Sequence, residues 1–251
     1  MIKSISPYIE ERIRRAPPPD ASVVNASTPV VSFGNAQDAR VATLGLNPSR
    51  IEFLDRTGRL LDGPERRLAT HTSLGVSDLA SAPIEAILQV LEDCNTYFQR
   101  KPYCGWFNQL MPILNACDAS YYDGSACHLD LVQWATDPTW GKLRPATIRN
   151  QLIADDSSFL AYQLQNENIR VLLVNGHGVW RHLHRWPAAH LASEHSEDIV
   201  GLARQPTRLY SATLFGRVRV LAWSTNLQSS FGVTVQLRAE LPKRVAALLA
   251  L

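Results

Sequence analysis

The stretch VATLGLNPSR, Val41 to Arg50, decides how the rest of the chain is read. Val41-Ala42-Thr43-Leu44 is apolar and partly β-branched, the composition of a short buried strand. Gly45 admits backbone angles that other residues resist, and Pro48 blocks helix continuation, so the strand leaves through a tight polar exit. Asn47 sits in that exit. In open α/β sheets, ligands bind beyond the carboxyl ends of the strands, which makes Asn47 the first candidate site residue.

Three later stretches repeat the pattern. A second strand is predicted over Cys127–Trp134, ending in Thr-Asp-Pro, and a third in IRVLLVNG, ending at Asn175-Gly176-His177-Gly178. ATLFGRVRVLAWSTNLQSS predicts a hairpin-like pair whose second strand, Val218–Trp223, ends in Ser-Thr-Asn. Helical spacing is seen over Ala82–Phe98, in GWFNQLMPILNAC, over Ala146–Glu167, around Val179, Trp180 and Leu183, and over Leu237–Leu251. An amphipathic opening helix carries Ile2, Ile5, Tyr8, Ile9 and Ile13 and must end before Pro17-Pro18-Pro19. Residues 22–46 read as extended segments around a Gly-Asn turn, and 50–81 as a polar stretch with a short helix. Helices alternating with strands predict a parallel sheet covered on both faces, with four polar strand exits on one edge.

The 251 residues suit a single domain over 1–251, with residues 1–40 as an N-terminal helix and extended lead-in. Apolar content of 45% and charged content of 19% describe a globular chain, and a net charge of +2 does not itself argue for nucleic acid. Cys94, Cys104, Cys117 and Cys127 form no C-x-x-C pair; reduced thiols are expected, with a four-cysteine metal cluster as the alternative. No metal or cofactor is predicted. Met1–Asp20 carries Glu10, Glu11, Arg12, Arg14 and Arg15 and no apolar signal core, and no run suits a membrane span. The expectation is a soluble, cytoplasmic monomer.

Gly45-Leu46-Asn47-Pro48-Ser49 resembles the first motif of the uracil-DNA glycosylase superfamily, closest to the mismatch-specific and single-strand-selective branches with Gly-x-Asn-Pro-Gly. Ser49 departs from the final Gly. The second motif of that superfamily, His-Pro-Ser-Pro-Leu or Asn-Pro-Ser-Gly-Leu, corresponds to Trp223-Ser224-Thr225-Asn226-Leu227 followed by Gln228-Ser229-Ser230, without its His or Pro. The order of elements agrees from about Val41 to Leu251. The resemblance implies a three-layer α/β/α sandwich around a four-stranded, mostly parallel sheet. It also implies hydrolysis of the bond joining a base to deoxyribose, with DNA, double- or single-stranded, as partner.

A base must leave the stack to be cut. Under this resemblance Asn47 orients the attacking water, against the alternative that it caps the following turn. Leu46 and Pro48 flank the base, and Phe53 is either its stacking face or a core aromatic. Asn226 is a second catalytic candidate. Ser49, Arg50, Arg56, Ser224, Thr225, Gln228 and Ser229 are assigned to the DNA backbone, with the N-cap of a following helix as the alternative for Ser224, Thr225 and Asn226. Arg204, Arg208, Lys243 and Arg244 are either a phosphate track or ordinary surface charge. Leu227 is either an exposed wedge for the vacated stack or a core residue. His177 donates to base or phosphate, or has no role.

Asp130 bears on the choice of base. Uracil readers of the superfamily use an Asn on the second strand, and an ionised carboxylate only accepts hydrogen bonds. It suits the exocyclic amine of cytosine and repels a carbonyl at that position. The alternative is a buried Asp that orients His128 or caps a loop. A modified cytosine is thus the expected target, such as glucosylated hydroxymethylcytosine of phage DNA. That substrate is associated with the bacteriophage replication inhibition type of DNA glycosylase, an anti-phage defence enzyme. The competing readings are an ordinary uracil or mismatch repair glycosylase, a non-catalytic nucleic-acid-binding protein on the same fold, and a small-molecule hydrolase.

Overall fold

A computed structural model describes residues 4–186, 191–201, 205–229 and 232–250. Ile2, Arg204, Ser230 and Leu251, all named above, lie outside these. In chain order the helices are α1 (Pro7–Arg14), α2 (His71–Leu74), α3 (Ile84–Asn95), α4 (Cys104–Phe107), α5 (Met111–Asn115), α6 (Thr147–Asn166), α7 (His177–His184) and α8 (Val235–Leu249). The strands are β1 (Val41–Gly45), β2 (Ala126–Asp130), β3 (Val171–Asn175), β4 (Ala192–Ile199), β5 (Thr207–Leu214) and β6 (Val218–Trp223). No described helix is long and apolar enough to cross a membrane.

The protein is α/β, but the sheet is six-stranded and mixed, in the order β2-β1-β3-β6-β5-β4. The four expected strands are neighbours within it. β1 pairs parallel with β3, and β3 with β6, so these three strands end at one edge. β5 pairs antiparallel with both β6 and β4, which overturns a four-stranded sheet. β4 escapes a reading by apolar alternation because ASEHSEDI ends in its only large aliphatic residue. An edge strand needs no such alternation.

Other boundaries also move. β2 stops at Asp130 rather than running to Trp134. Beyond it, Val132 N–H donates to Leu46 O at 3.0 Å, while Gln133 O and Ala135 O accept from Val30 and Val24. The apolar run is therefore buried without being a strand. The expected extended lead-in contributes isolated bridges, Val23 with Thr136 and Ser27 with Thr70, and no strand. GWFNQLMPILNAC breaks into α4, a 3-10 turn and α5, with Pro112 in the first turn of α5.

The chain divides into two compact units. The first comprises the chain up to Asn35, Leu46–Pro102 and Leu129–Leu160. It contains a buried ion pair that docks α1. Arg12, 2% exposed, donates to Asp156 at 3.0 Å and to Gln133 Oε1 at 3.1 Å, with its guanidinium over the Trp134 ring. Asp156 also accepts from Gln133 N–H at 2.8 Å and from Arg15 at 3.1 Å. Desolvation raises the Asp156 carboxyl and lowers the Arg12 guanidinium, so each ion depends on the other's charge.

The second unit comprises Ala36–Gly45, Tyr103–His128 and the chain from Ala161 onward. α8 buries Leu237, Leu241, Val245 and Leu248, one stripe at helical spacing, and starts at Thr234, whose hydroxyl accepts from Leu237 N–H at 3.1 Å. Thr43 Oγ1 lies 2.7 Å from His128 Nδ1 and 2.6 Å from Tyr121 Oη, a buried polar chain within the unit.

Arg12→Ala leaves Asp156 buried with only a half-exposed arginine beside it. The expected loss is about 3 kcal/mol of unfolding free energy, read as a lower urea midpoint at unchanged slope. A loss under about 1 kcal/mol would show that Arg15 alone neutralises Asp156.

Candidate functional site

Asn47 follows β1 by two residues and belongs to the first unit. Its Nδ2 donates toward Trp134 O at 3.1 Å, Pro48 O at 3.1 Å and Thr136 Oγ1 at 3.3 Å. Acceptors on that side fix which end of the amide is nitrogen. Oδ1 accepts from none of the described residues, and the side chain is half-buried. The residue thus presents a rigid, unused carbonyl oxygen. Pro48 is buried, and Leu46 contributes the carbonyl that receives Val132 N–H. Ser49 caps the 3-10 turn Arg50–Glu52, its Oγ accepting from Ile51 N–H.

Phe53 is 1% exposed, so as placed it is a core aromatic and not an open stacking face. Arg50 is bound to Asp137 at 2.7 Å, which occupies much of the charge assigned to phosphate. Arg56 is exposed and pairs with none of the described residues. Asp130 is 5% exposed. Its charge acts on Glu52, a residue the sequence reading passed over. Glu52 is 2% exposed, and Tyr97 Oη donates to its Oε2 at 2.6 Å. Burial pushes the Glu52 carboxyl up to about 7; Asp130 adds to the rise, while Tyr97 and the Arg67 charge oppose it. An acid with a neutral form near physiological pH is the sort of group found at functional sites. Its only sequence signal was a Glu one turn past Asn47-Pro48.

In the second unit, the exits of β3 and β6 are joined by Asn175. Its Nδ2 donates to Asn226 Oδ1 at 2.7 Å and Gln228 Oε1 at 2.9 Å. Its Oδ1 accepts from Trp223 Nε1 at 2.8 Å and Leu227 N–H at 2.9 Å. Two donors and two lone pairs are all used. A cleft of about 440 Å³ opens beside this junction, lined by His177, Ser224, Thr225, Asn226 and Ser229 among others. His177 is exposed and its backbone N–H donates to Ser224 O at 2.9 Å. Thr225 Oγ1 lies 2.6 Å from Thr207 Oγ1, and Ser224 Oγ accepts from Arg208 N–H at 2.9 Å. Asn226 is exposed, its Oδ1 bound to Asn175 and to Gln228 N–H. Its Nδ2, which donates to none of the described residues, remains for a ligand oxygen.

Leu227 is 2% exposed, so the exposed-wedge reading is corrected: its N–H is held by Asn175 and its carbonyl by Arg238 at 2.9 Å. Gln228 also faces inward, its Nε2 donating to Trp106 O at 3.2 Å. Arg208 is bidentate to Asp198, and Lys243 and Arg244 pair with Glu240, which depletes the distal phosphate track. A further cleft of about 570 Å³ at β4 and α8 is lined by Asp198, Glu240 and Arg244 among others.

All four cysteines are free thiols, and among the described residues no group of three or more His, Cys, Asp or Glu side chains is placed to hold a metal ion. Burial pushes the Cys94 and Cys117 thiols up to about 12. No protein-family model matches the chain, and no curated protein sequence matches it.

Two outcomes follow from this geometry. Gly176, with φ +97° and ψ 147°, occupies a region open only to glycine, and an added Cβ would lie 3.2 Å from Asn226 Cβ. Gly176→Ala is expected to cost about 1–3 kcal/mol and to disturb the cleft, read by denaturant unfolding and by the amide signals of residues 224–228. Separately, the folded protein keeps the Glu52 proton up to about pH 7, whereas a free Glu releases it near 4.5. Stability should therefore fall as pH rises through that window. Glu52→Gln should flatten this part of the profile, and an unchanged slope would remove Glu52 as its source.

Proposed function

We propose that the protein is a DNA glycosylase that hydrolyses the N-glycosidic bond of an extruded modified pyrimidine, a cytosine derivative in preference to uracil. The observation that carries this is Asn47: an amide immobilised through its nitrogen, with its carbonyl oxygen left to accept a proton of water. Such a group orients water without having to change protonation state. The bond from C1′ to the base breaks, water oxygen bonds to C1′, and the base leaves with the electron pair and takes up a proton. Donors that meet the developing negative charge lower the barrier.

Ser224, Thr225 and Ser229, with the exposed His177, offer neutral hydrogen-bonding groups suited to sugar and phosphate oxygens. In the first unit, Arg56 is exposed and pairs with none of the described residues. The burial of Leu227 favours substrates whose base is already unpaired, because this side chain is not presented to fill a vacated stack. Asp130 favours an exocyclic amine over a carbonyl. A defence role against phage DNA with modified cytosine is the biological setting in which such a preference is useful.

The test is incubation with single- and double-stranded oligonucleotides carrying uracil, cytosine, hydroxymethylcytosine or glucosylated hydroxymethylcytosine, followed by alkaline cleavage at abasic sites. Abasic sites on a modified cytosine are expected, with the rate reduced about 100-fold in Asn47→Ala. Equal rates in the variant would remove Asn47 from the chemistry. Cutting of uracil alone would make this a repair enzyme, and DNA binding without cutting would make it a binding protein.

A further inference from the structure

Resting on the glycosylase reading above, in which Asn47 orients water, we propose that Arg12 is a positioning residue for Asn47: paired with Asp156, it fixes the segment 133–136 whose acceptors hold the Asn47 amide. Two of the three acceptors of Asn47 Nδ2 belong to that segment, Trp134 O at 3.1 Å and Thr136 Oγ1 at 3.3 Å. The segment is buried but lies beyond the end of β2, so no ladder of strand hydrogen bonds sets its backbone. Gln133 O accepts from Val30 N–H at 2.7 Å, and Ala135 O from Val24 N–H at 2.9 Å. Trp134 O, between them in the chain, accepts from Asn47 instead.

The ion pair supplies the rest of the hold. Arg12 Nη2 reaches Asp156 at 3.0 Å, its Nε donates to Gln133 Oε1 at 3.1 Å, and its guanidinium carbon stands 5.2 Å from the centre of the Trp134 ring. Asp156 in turn accepts from Gln133 N–H at 2.8 Å. The pair therefore grips the backbone and side chain of Gln133 and the face of Trp134, the two residues that lead into the acceptor carbonyl. All of these residues belong to the first unit. Trp134 Nε1 is buried and donates to none of the described residues, so no hydrogen bond of its own turns the indole. Ala21, Val132, Leu143 and Leu152 share a core cluster with it, and apolar burial carries no direction. A planar cation over the ring supplies direction. A buried ion pair adds little stability over well-packed apolar groups of similar volume, so its contribution here is the geometry it imposes. A misplacement of about 1 Å in a positioned group can cost about 100-fold in rate.

Two variants separate positioning from support of the fold. Arg12→Lys keeps a cation beside Asp156 but loses the planar fork that reaches Gln133 and Trp134 together. Arg12→Met combined with Asp156→Asn removes both charges, so no buried ion is left unpaired, and keeps an acceptor for Gln133 N–H. The first measurement is solvent exchange of the Asn47 side-chain amide protons by proton–nitrogen NMR. Its signal is assigned by its loss in Asn47→Ala, and the Asn175 amide of the second unit serves as reference. Exchange at Asn47 should quicken by about tenfold in both variants, with Asn175 unchanged. The second measurement is single-turnover excision from the oligonucleotide that the unaltered protein cuts. The rate at saturation should fall about tenfold while the half-saturating DNA concentration stays the same. Unchanged exchange at Asn47 in a folded variant overturns the proposal. So does equal quickening at Asn175, which is general loosening, or a loss of excision carried wholly by weaker DNA binding. If one variant fails to fold, the other decides. Absence of abasic sites on every oligonucleotide overturns the glycosylase reading alone, because the exchange rates decide the hold on Asn47 without any substrate.

Discussion

Asn175 holds the second unit's site together. It sits at the last position of β3, and its amide closes four hydrogen bonds to the chain that leaves β6. The Ser224–Gln228 turn has no Pro to stiffen it. Its shape is set instead by one saturated side chain and by the backbone pairs of Gly176 N–H with Trp223 O and His177 N–H with Ser224 O. Trp223, fully buried, serves as a donor to that amide.

The first unit solves a related problem with charge. Arg12, Asp156, Asp93 and Glu52 are all polar or ionisable groups under solvent-excluding packing. Three are compensated by ions: Arg12 by Asp156, and Asp93 by Arg66 and Arg100. Glu52 has instead a phenol and the Arg67 charge, and burial pushes its carboxyl up to about 7. Full compensation fixes structure, whereas partial compensation leaves a group able to respond to a ligand or to pH.

The strands β1, β3 and β6 were legible because buried parallel strands are short apolar runs that end abruptly in polar turns, and each of these sequences does so. The same rule failed at Leu131–Trp134, where burial comes from packing outside the sheet, and at β4, an edge strand with little apolar content. Site residues were legible by position more than by exposure. Asn47 and Asn226 could be picked out as polar groups at strand exits. Nothing local distinguishes a Leu227 packed inward from one pointing outward, or a Phe53 in the core from one at a surface. Glu52 was invisible because its chemistry comes from Tyr97 and Asp130, which lie 45 and 78 positions away in the chain.

The sequence Asn175-Gly176 has a chemical consequence for the lifetime of the protein. An asparagine followed by glycine loses its amide when the next backbone nitrogen attacks the side-chain carbonyl carbon. In the folded chain that nitrogen donates to Trp223 O, and the amide is pinned at both ends. Attack is thereby confined to molecules in which this region has opened. Once an aspartate is formed, a carboxylate oxygen faces Asn226 Oδ1 and Gln228 Oε1, acceptor against acceptor, and the turn cannot close as before. Ageing of this protein is thus coupled to its own opening: the rarer the excursion, the slower the damage, and each damaged molecule loses the turn that bounds the cleft.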